Sequence, residues 1–411
     1  MSARILAGVA ALLLAAGVWI AAARARARPP APESVEALVA ESVPKIEKAV
    51  GLKYKYPPKV EVRSKAQVRD FLEAQLRDPR QAREIAGTAT ALKLLGLIPD
   101  SLDLIKEDED MLTEQIAGFY DPKTKVLYWI TGESPEVLKE VIPHELVHAL
   151  QDQYINIDSV ENAEGNDDRT LAAQSVFEGQ AVYEQLAVAY GGTSFTASLP
   201  GIYDKMRELI RENRKTMPQF AAAPMVVQET TIFPYLNGLE FMRRYEAHFP
   251  GGVPYDHLPV STQQVLDEDA YFGTPQKVPV DVTLPAPKRG MVRFVNTMGE
   301  FQTRLFFYQH LDDLNTAIRG AAAWLGDRYE VIDAPGGPAL VWVTLLDSPV
   351  DAAQFADLAR QAAQHRDAGR SKGRSVTIAP IEVGGRPGVL YVDSPGIPVA
   401  SLVDTARVTA R

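Results

Sequence analysis

The sequence contains no cysteine. This absence excludes disulfide bonds, a lipid-modified cysteine behind an export signal, thiolate metal ligands and a cysteine nucleophile. Histidine is scarce as well, with six residues among 411. A metal site in this chain must therefore be built from the side chains of histidine, aspartate and glutamate.

The chain also has no excess of basic residues. The chain has 43 Lys and Arg against 53 Asp and Glu, a formal net charge of −10. Because a nucleic-acid partner needs a basic surface to neutralise its phosphates, this balance argues against one. The 46% of hydrophobic residues is ordinary for a globular protein, and 411 residues exceed the usual size of one hydrophobic core. We expect two or three domains.

A long apolar run occupies residues 5–23, behind a short basic start and before the small residues Ala21 to Ala23. Its length lies between that of a signal peptide and that of a membrane span. Three arginines within residues 24–28 favour an uncleaved anchor, and the prolines in residues 29–32 form an extended spacer. Residues 1–32 are therefore predicted to be a signal peptide or a membrane anchor, with an exported or membrane-held body. A cytoplasmic body is the alternative.

The rest of the chain predicts an α+β protein. Residues 33–110 show helical periodicity and predict a helical N-terminal region. Residues 111–288 predict a mainly helical domain, with one strand at Lys125 to Ile130, a helix over about 236–247 and a meandering surface linker from residue 254. Strands alternate with helices in residues 289–411, which predict a small C-terminal α+β domain. Its predicted elements are a helix over about 301–325, strands near 329–332 and 340–346, a helix over 352–365, and strands near 376–383 and 389–392.

The motif H-E-L-V-H at residues 144–148 is a candidate metal site. Residues four apart on a helix lie one turn above each other, so His144 and His148 can present two imidazole nitrogens to one point. Glu145 is rotated by about 100° and reaches the flank of that point, where a water would lie. The alternative interpretation is a polar helix face without a metal.

Two imidazoles leave a zinc ion short of ligands, so a third protein ligand is required. The downstream candidates are Glu161, Glu164, Glu178 and Glu184. The first two lie in or beside a polar loop where solvation explains them, and Glu184 is expected at the surface. Glu178 lies within an apolar helix, where a carboxylate needs a cation partner. The adjacent Gly179 is explained if a second backbone approaches closely there.

These motifs resemble a known enzyme family. HELVH, followed some thirty residues later by a glutamate on a second helix, is similar to the gluzincin metallopeptidases. HELVHALQDQ, EGQA and the trailing GAAAWLGDRYEV resemble predicted exported bacterial peptidases, over most of the chain after about residue 100. The segment GFYDPKTKVLYWI resembles the edge strand that precedes the active-site helix of the family. The resemblance implies a zincin-like catalytic domain that binds Zn²⁺.

The resemblance also implies residue roles. His144, His148 and Glu178 would be the zinc ligands, and Glu145 the general base. Tyr235, in FPYLNGLEF, would be a candidate donor to the oxyanion. Two features depart from the family: Val182 stands where some members have an aspartate that supports a zinc histidine, and Pro143 should kink or begin the helix.

The predicted function is zinc-dependent hydrolysis of peptide bonds in a peptide or protein substrate. The substrate backbone is expected to add to the strand Lys125 to Ile130. The other four histidines are expected to face solvent. Two alternatives stay open: a non-catalytic metal-binding or partner-binding protein on the same scaffold, and a zinc hydrolase of a non-peptide substrate. The intact Glu145 speaks against the first.

Overall fold

The computed structural model describes residues 35–162, 165–190, 201–212, 216–367 and 373–411. The protein is α+β, as predicted. The helices before residue 250 are α1 (Val35–Val50), α2 (Lys65–Leu76), α3 (Pro79–Leu95), α4 (Leu104–Gln115), α5 (Pro135–Gln151), α6 (Ile157–Glu161), α7 (Asp167–Tyr190), α8 (Ile202–Glu212), α9 (Pro218–Ala222) and α10 (Met225–His248). No helix within the described ranges is long and apolar enough to cross a bilayer. The signal or anchor predicted for residues 1–32 lies outside them.

A small three-stranded sheet lies in the first half of the chain. It consists of β1 (Lys59–Arg63), β2 (Gly118–Asp121) and β3 (Val126–Ile130), in the order β1-β3-β2. β3 is parallel to β1 and antiparallel to β2. The predicted strand exists, but it is the central strand. The expectation that a substrate adds to Lys125–Ile130 is therefore wrong, because both edges of β3 are already paired.

The sequence supplies the start of α5. Ser134 is the N-cap and its side chain accepts a hydrogen bond from Val137 N, and Pro135 occupies the first turn, where no backbone donor is needed. Pro143 lies inside α5, so it does not begin the helix; the other part of the expectation, a kink at Pro143, stays a prediction. Both histidines of HELVH follow Pro143 on the same helix.

The long helices α7 and α10 pack together at two glycines. A Cβ atom on Gly179 would lie 2.1 Å from the carbonyl carbon of Gly238, and one on Gly238 would lie 2.1 Å from Ser175 O. The close approach of a second backbone at Gly179 is thereby confirmed. α10 was predicted only from Leu236, and it begins a full eleven residues earlier, at Met225.

The predicted linker is partly built into the core. It contains α11 (Thr262–Leu266), α12 (Glu268–Phe272) and the short strand β4 (Val282–Thr283). Residues 261–265 are buried, so the surface location predicted for this part is wrong. Thr262 N donates to the Asp168 carboxylate at the start of α7, at 3.0 Å.

The C-terminal part forms a five-stranded antiparallel sheet in the order β5-β6-β7-β9-β8. Its elements are β5 (Met291–Asn296), α13 (Gly299–Leu311), α14 (Leu314–Ala321), β6 (Trp324–Ala334), β7 (Gly337–Leu346), α15 (Pro349–Asp367), β8 (Ser375–Val383), β9 (Arg386–Ser394), α16 (Val399–Leu402) and β10 (Thr409–Ala410). The strands predicted after residue 328 are confirmed. The single helix expected over 301–325 is two helices, because Asp312 adopts a positive φ and Asp313 caps α14.

Candidate metal centre

Helices α5 and α7 bring three predicted ligands to one point. His144 Nε2 and His148 Nε2 lie 3.2 Å apart. Glu178 Oε2 lies 3.2 Å from the first nitrogen and 3.3 Å from the second. These spacings are close to the roughly 3.3 Å between ligand atoms of a tetrahedral ion with bonds of about 2.0–2.1 Å.

Two glutamines that the sequence analysis did not single out hold the histidines. Gln185 Nε2 donates to Glu140 O at 3.0 Å, and Gln151 Nε2 donates to Phe177 O at 3.0 Å. A backbone carbonyl can only accept a hydrogen bond, so these contacts fix both amide nitrogens. The amide oxygens are therefore turned toward the imidazole rings.

The orientation of the glutamines decides where each imidazole carries its proton. Gln185 Oε1 lies 3.3 Å from His144 Nδ1, and Gln151 Oε1 lies 2.8 Å from His148 Nδ1. An amide oxygen accepts, so each Nδ1 must donate, and each neutral ring presents a lone pair at Nε2. Together with Glu178 Oε2, three acceptor atoms then face one another without a donor among them. The cluster therefore attracts positive charge, which a proton on one Nε2 or a metal ion at this point would supply.

The charges around His148 favour positive charge at this point. Burial, the largest single effect, lowers the pKa of His148, but the carboxylates of Glu178 and Glu145 outweigh it and raise the pKa to about 9. Burial likewise opposes ionisation of Glu178, and the two histidines still lower the pKa of its carboxyl. A divalent metal ion supplies the same positive charge to neutral histidines.

The residues present fit a metal ion. His144, Glu145 and His148 form a group whose possible ligand atoms all lie within 4.8 Å of one another. Glu178 Oε2 is closer still to both histidines, so we take it as the third ligand. Two imidazoles and one carboxylate are a common donor set for zinc, although other divalent ions accept these ligands as well.

Glu145 is placed beside the three ligands and is held by the sheet. Its Oε2 accepts a hydrogen bond of 2.6 Å from Tyr120 N on β2. Its Oε1 is buried and has no hydrogen-bond partner among the described residues. Burial raises the pKa of Glu145, while the two histidines act in the opposite direction. One carboxylate oxygen is therefore fixed and the other is free to accept a proton.

Tyr235 lies on α10 against the same cluster. It is 1% exposed, and its ring centroid is 6.4 Å from that of His144. Burial and the nearby Glu178, to which its hydroxyl is hydrogen-bonded, raise the pKa of Tyr235 well above its usual value. The hydroxyl is therefore engaged with a candidate ligand, and its predicted role as an oxyanion donor stays a prediction.

The Q-D-Q segment that ends HELVHALQDQ anchors α5 to its surroundings. Gln151 holds His148, and Asp152 accepts hydrogen bonds from the Tyr120 hydroxyl at 2.7 Å and from Lys125 Nζ at 2.6 Å. Gln153 Oε1 accepts from Lys55 N at 2.6 Å. The polar run directly behind His148 was the available sequence signal for these contacts. No such signal pointed to Gln185, which lies 37 residues after His148. It meets His144 only because α7 packs against α5.

The other three carboxylates considered as a third ligand are Glu161, Glu164 and Glu184. Glu184 is 4% exposed, so its predicted surface location is wrong, and burial raises its pKa to about 8. Glu161 ends α6 and is half-buried, so it is not the freely solvated loop residue that was predicted. Glu164 lies outside the described residues.

The other four histidines are only partly as predicted. Three of them are exposed, as expected: His248, His257 and His365. His310 is half-buried, and its Nε2 pairs with Leu95 O at 2.8 Å, so the solvent-facing position expected for it is wrong.

An open cavity of about 560 Å³ is lined in part by β2. Its walls include Phe119, Tyr120 and Asp121 from β2, and Glu161 from α6. Tyr120 also contributes the backbone N–H that holds Glu145. The cavity and the candidate metal centre therefore share a wall.

Comparison with known families gives one match. Residues 291–408 match the family described as a domain of unknown function, DUF8575. The match covers β5 to α16 of the C-terminal part and none of the residues of the candidate metal centre. No curated protein and no solved structure matches the chain.

Proposed function

We propose that this protein is a zinc-dependent metallopeptidase of the gluzincin type. One observation carries the proposal: two imidazole nitrogens and one carboxylate oxygen, from His144, His148 and Glu178, converge at 3.2–3.3 Å, the spacing of ligand atoms around one zinc ion. A cation therefore belongs at this point. Glu145 lies beside it with one unpaired carboxylate oxygen, which a purely structural metal site would not need.

In the proposed reaction the residues have separate tasks. A zinc ion held by the three ligands would supply Lewis acidity to the scissile carbonyl and would acidify water. Glu145 Oε1 takes the proton of the attacking water and delivers it to the leaving amine. Tyr120 N keeps the other oxygen of Glu145 in place. Tyr235 steadies Glu178 and is the candidate donor to the developing oxyanion.

The substrate is proposed to lie along β2. Within the described residues β2 has a strand neighbour on one side only, and three of its residues line the cavity. An extended peptide can add to such an edge through backbone hydrogen bonds. This arrangement replaces the expected addition to β3 and places the peptide next to Glu145.

One observation favours a second candidate function. The residues of the site are at most 9% exposed, which also suits a protein that binds a metal ion and hydrolyses nothing. The two functions differ in what Glu145 does. A base in turnover must be reached by water and substrate, whereas a structural metal site has no use for a free carboxylate oxygen.

Metal analysis with a cleavage assay tests the proposal. The full chain is purified without added chelator, its metal content is measured, and it is incubated with an unbiased peptide mixture read by mass spectrometry. The proposal expects about one zinc per chain and new peptide termini that disappear on chelation. Bound zinc without any cleavage favours the non-catalytic function, and absence of metal contradicts both.

An exported or membrane-anchored location is proposed from the apolar run at residues 5–23. Residues 1–40 are fused to a reporter that is active only outside the cytoplasm. Reporter activity is expected. A silent reporter with the protein recovered from the cytosol contradicts this location.

A further inference from the structure

The cavity beside β2 combines an apolar wall with carboxylates. Phe71 and Leu72 from α2 and Phe119 from β2 supply the apolar part, and the rings of Phe71 and Phe119 stack with centroids 5.2 Å apart. Four carboxylates line the same cavity: Asp78, Asp121, Asp158 and Glu161. An apolar wall with acidic groups suits a ligand that has an alkyl stem and a positive end.

Three of the four carboxylates are engaged by their own surroundings. Asp78 caps α3, Asp121 accepts from Lys123 N at 3.0 Å in the turn after β2, and Asp158 accepts from Asn162 Nδ2 at 2.9 Å. No hydrogen bond or ion pair joins the Glu161 carboxylate to another residue in the described part of the chain. Glu161 is therefore the lining carboxylate that still needs a cationic partner.

The cations of the cavity lie at its rim and do not supply that partner. Arg80 and Lys123 line the cavity and are both exposed, and Arg80 Nη2 donates to Asn162 O at 2.6 Å. Glu161 is half-buried, and burial, followed by the charge of Glu178, raises its pKa to about 8, so a cation beside it would favour the ionised carboxylate. Glu161 therefore lies within electrostatic reach of the candidate metal centre, and the two basic groups are exposed to solvent.

A second metal ion is not the partner that the geometry favours. Within the described ranges, the one group of three or more His, Asp or Glu side chains that could hold a metal is that of His144, Glu145 and His148. The carboxylates of the cavity do not converge in this way. An organic cation on an apolar stem fits both parts of the lining, because the stem can pack on the two phenylalanines and the charge can pair with a carboxylate.

We propose that this cavity binds the side chain of a lysine or arginine of the substrate peptide, with Glu161 as its ionic partner. The inference rests on the proposed peptidase function and narrows its substrate class to peptides with a basic residue at one fixed distance from the scissile bond. The alkyl stem packs on Phe71 and Phe119, and the charged end reaches Glu161. Glu161 is a specificity residue here and does not take part in the chemistry.

The test compares full-length, zinc-loaded wild type with Glu161→Gln. Cleavage sites in a peptide mixture are mapped first, and matched peptides are then made with lysine or the neutral isostere norleucine at each position. Wild type should cleave the lysine peptide at least about 10-fold more efficiently at one position, the usual effect of one well-placed charge pair. Glu161→Gln should lose this preference through KM, and should keep its zinc and its activity on the norleucine peptide.

A matched control is Glu73→Gln, since Glu73 lies on α2, pairs with Arg77 at 2.5 Å and does not line the cavity. It should retain the preference for lysine. Cleavage by wild type without a preference for basic residues, or a preference that survives in Glu161→Gln, overturns the inference and leaves the peptidase function standing.

If wild type binds zinc and cleaves nothing, the proposed function fails and the cavity is tested by direct binding. The probe is Nα-acetyl-arginine amide, titrated into protein with labelled phenylalanine and followed by NMR. Shifts at Phe71 and Phe119 that vanish in Glu161→Gln support a site for basic side chains. Absence of shifts in wild type overturns it.

Discussion

Gly179 on α7 and Gly238 on α10 touch so closely that neither position has room for a side chain. A Cβ atom on Gly179 would lie 2.1 Å from the Gly238 carbonyl carbon. Gly179 follows the candidate ligand Glu178, and Gly238 lies three residues after Tyr235. The contact between the two glycines thus sets the distance at which the tyrosine meets the ligand.

We therefore expect Gly179→Ala to disturb both stability and metal binding. The methyl group would overlap backbone atoms, which cannot move as a flexible side chain can. The free energy of unfolding should fall by about 1–3 kcal/mol, and metal affinity should fall because Glu178 is displaced. Urea unfolding with chelator present, together with a zinc titration, measures the two effects. An unchanged free energy of unfolding and an unchanged zinc affinity would show that the two helices can move apart at this point without cost.

A second prediction concerns the glutamines that hold the histidines. Gln151→Ala and Gln185→Ala remove the acceptors at Nδ1 of His148 and His144. Loss of such a partner should weaken zinc binding by about 10-fold to 100-fold, with the fold retained. Competition against a chromogenic chelator measures the affinity. The control is Gln309→Ala, at an exposed position of α13, which should bind like wild type. Equal affinities in all three variants would contradict the assigned tautomers.

The choice of the third ligand is tested by three isosteric changes. Glu178→Gln should lose most of the bound zinc, because a neutral amide is a poor ligand in this set. Glu161→Gln and Glu184→Gln should keep it. Metal content after dialysis against a weak chelator separates the three variants. Full occupancy in Glu178→Gln, with loss in either of the others, would identify a different carboxylate.

Glu184 should make stability depend on pH. Burial, followed by the charge of Glu246, raises the pKa of Glu184 from 4.5 to about 8. An acid with a raised pKa in the folded state stabilises the fold below its unfolded pKa, and this contribution is lost as the pH rises through the folded pKa. Wild type should therefore lose a few kcal/mol of stability between about pH 4.5 and pH 8 through this group.

Glu184→Gln cannot ionise, and this gives the comparison. The unfolding free energy of the variant minus that of wild type should rise with pH over the same window and reach its largest value near pH 9. Urea unfolding of both proteins with chelator present measures the difference. A difference that stays constant across the window would mean that Glu184 has a charged partner in the folded protein.

Much of the site could be predicted because its signals are local. HELVH fixes the relative positions of His144, Glu145 and His148 as soon as the segment is helical, and the carboxylate of Glu178 in an apolar helix needs a partner. Gln185 and Gly238 could not be found this way, because they act only once α7 and α10 have packed. Glu184 was misjudged for the same reason: helical periodicity places it on a different side of α7 from Glu178, but that side is also covered.

The fold was predicted less completely. Strands with long apolar runs, such as β7, were found directly. The order of the first sheet was missed because strand pairing joins distant residues, here Lys59 to Val126 of β1 and β3, and sequence pattern does not encode the partner. The buried turn at 261–265 was taken for a surface linker because its burial rests on polar contacts, such as Gln263 Nε2 donating to Trp324 O at 2.9 Å.

The most direct test of the account compares zinc-loaded wild type with Glu145→Gln on the same peptide substrate. Glutamine keeps the size of the side chain and can still accept from Tyr120 N, so zinc content and stability should be unchanged. The amide cannot accept the proton of water, so turnover should fall by about 10² to 10⁴-fold, the usual contribution of a general base. Wild-type turnover in Glu145→Gln with zinc in place would contradict the proposed mechanism.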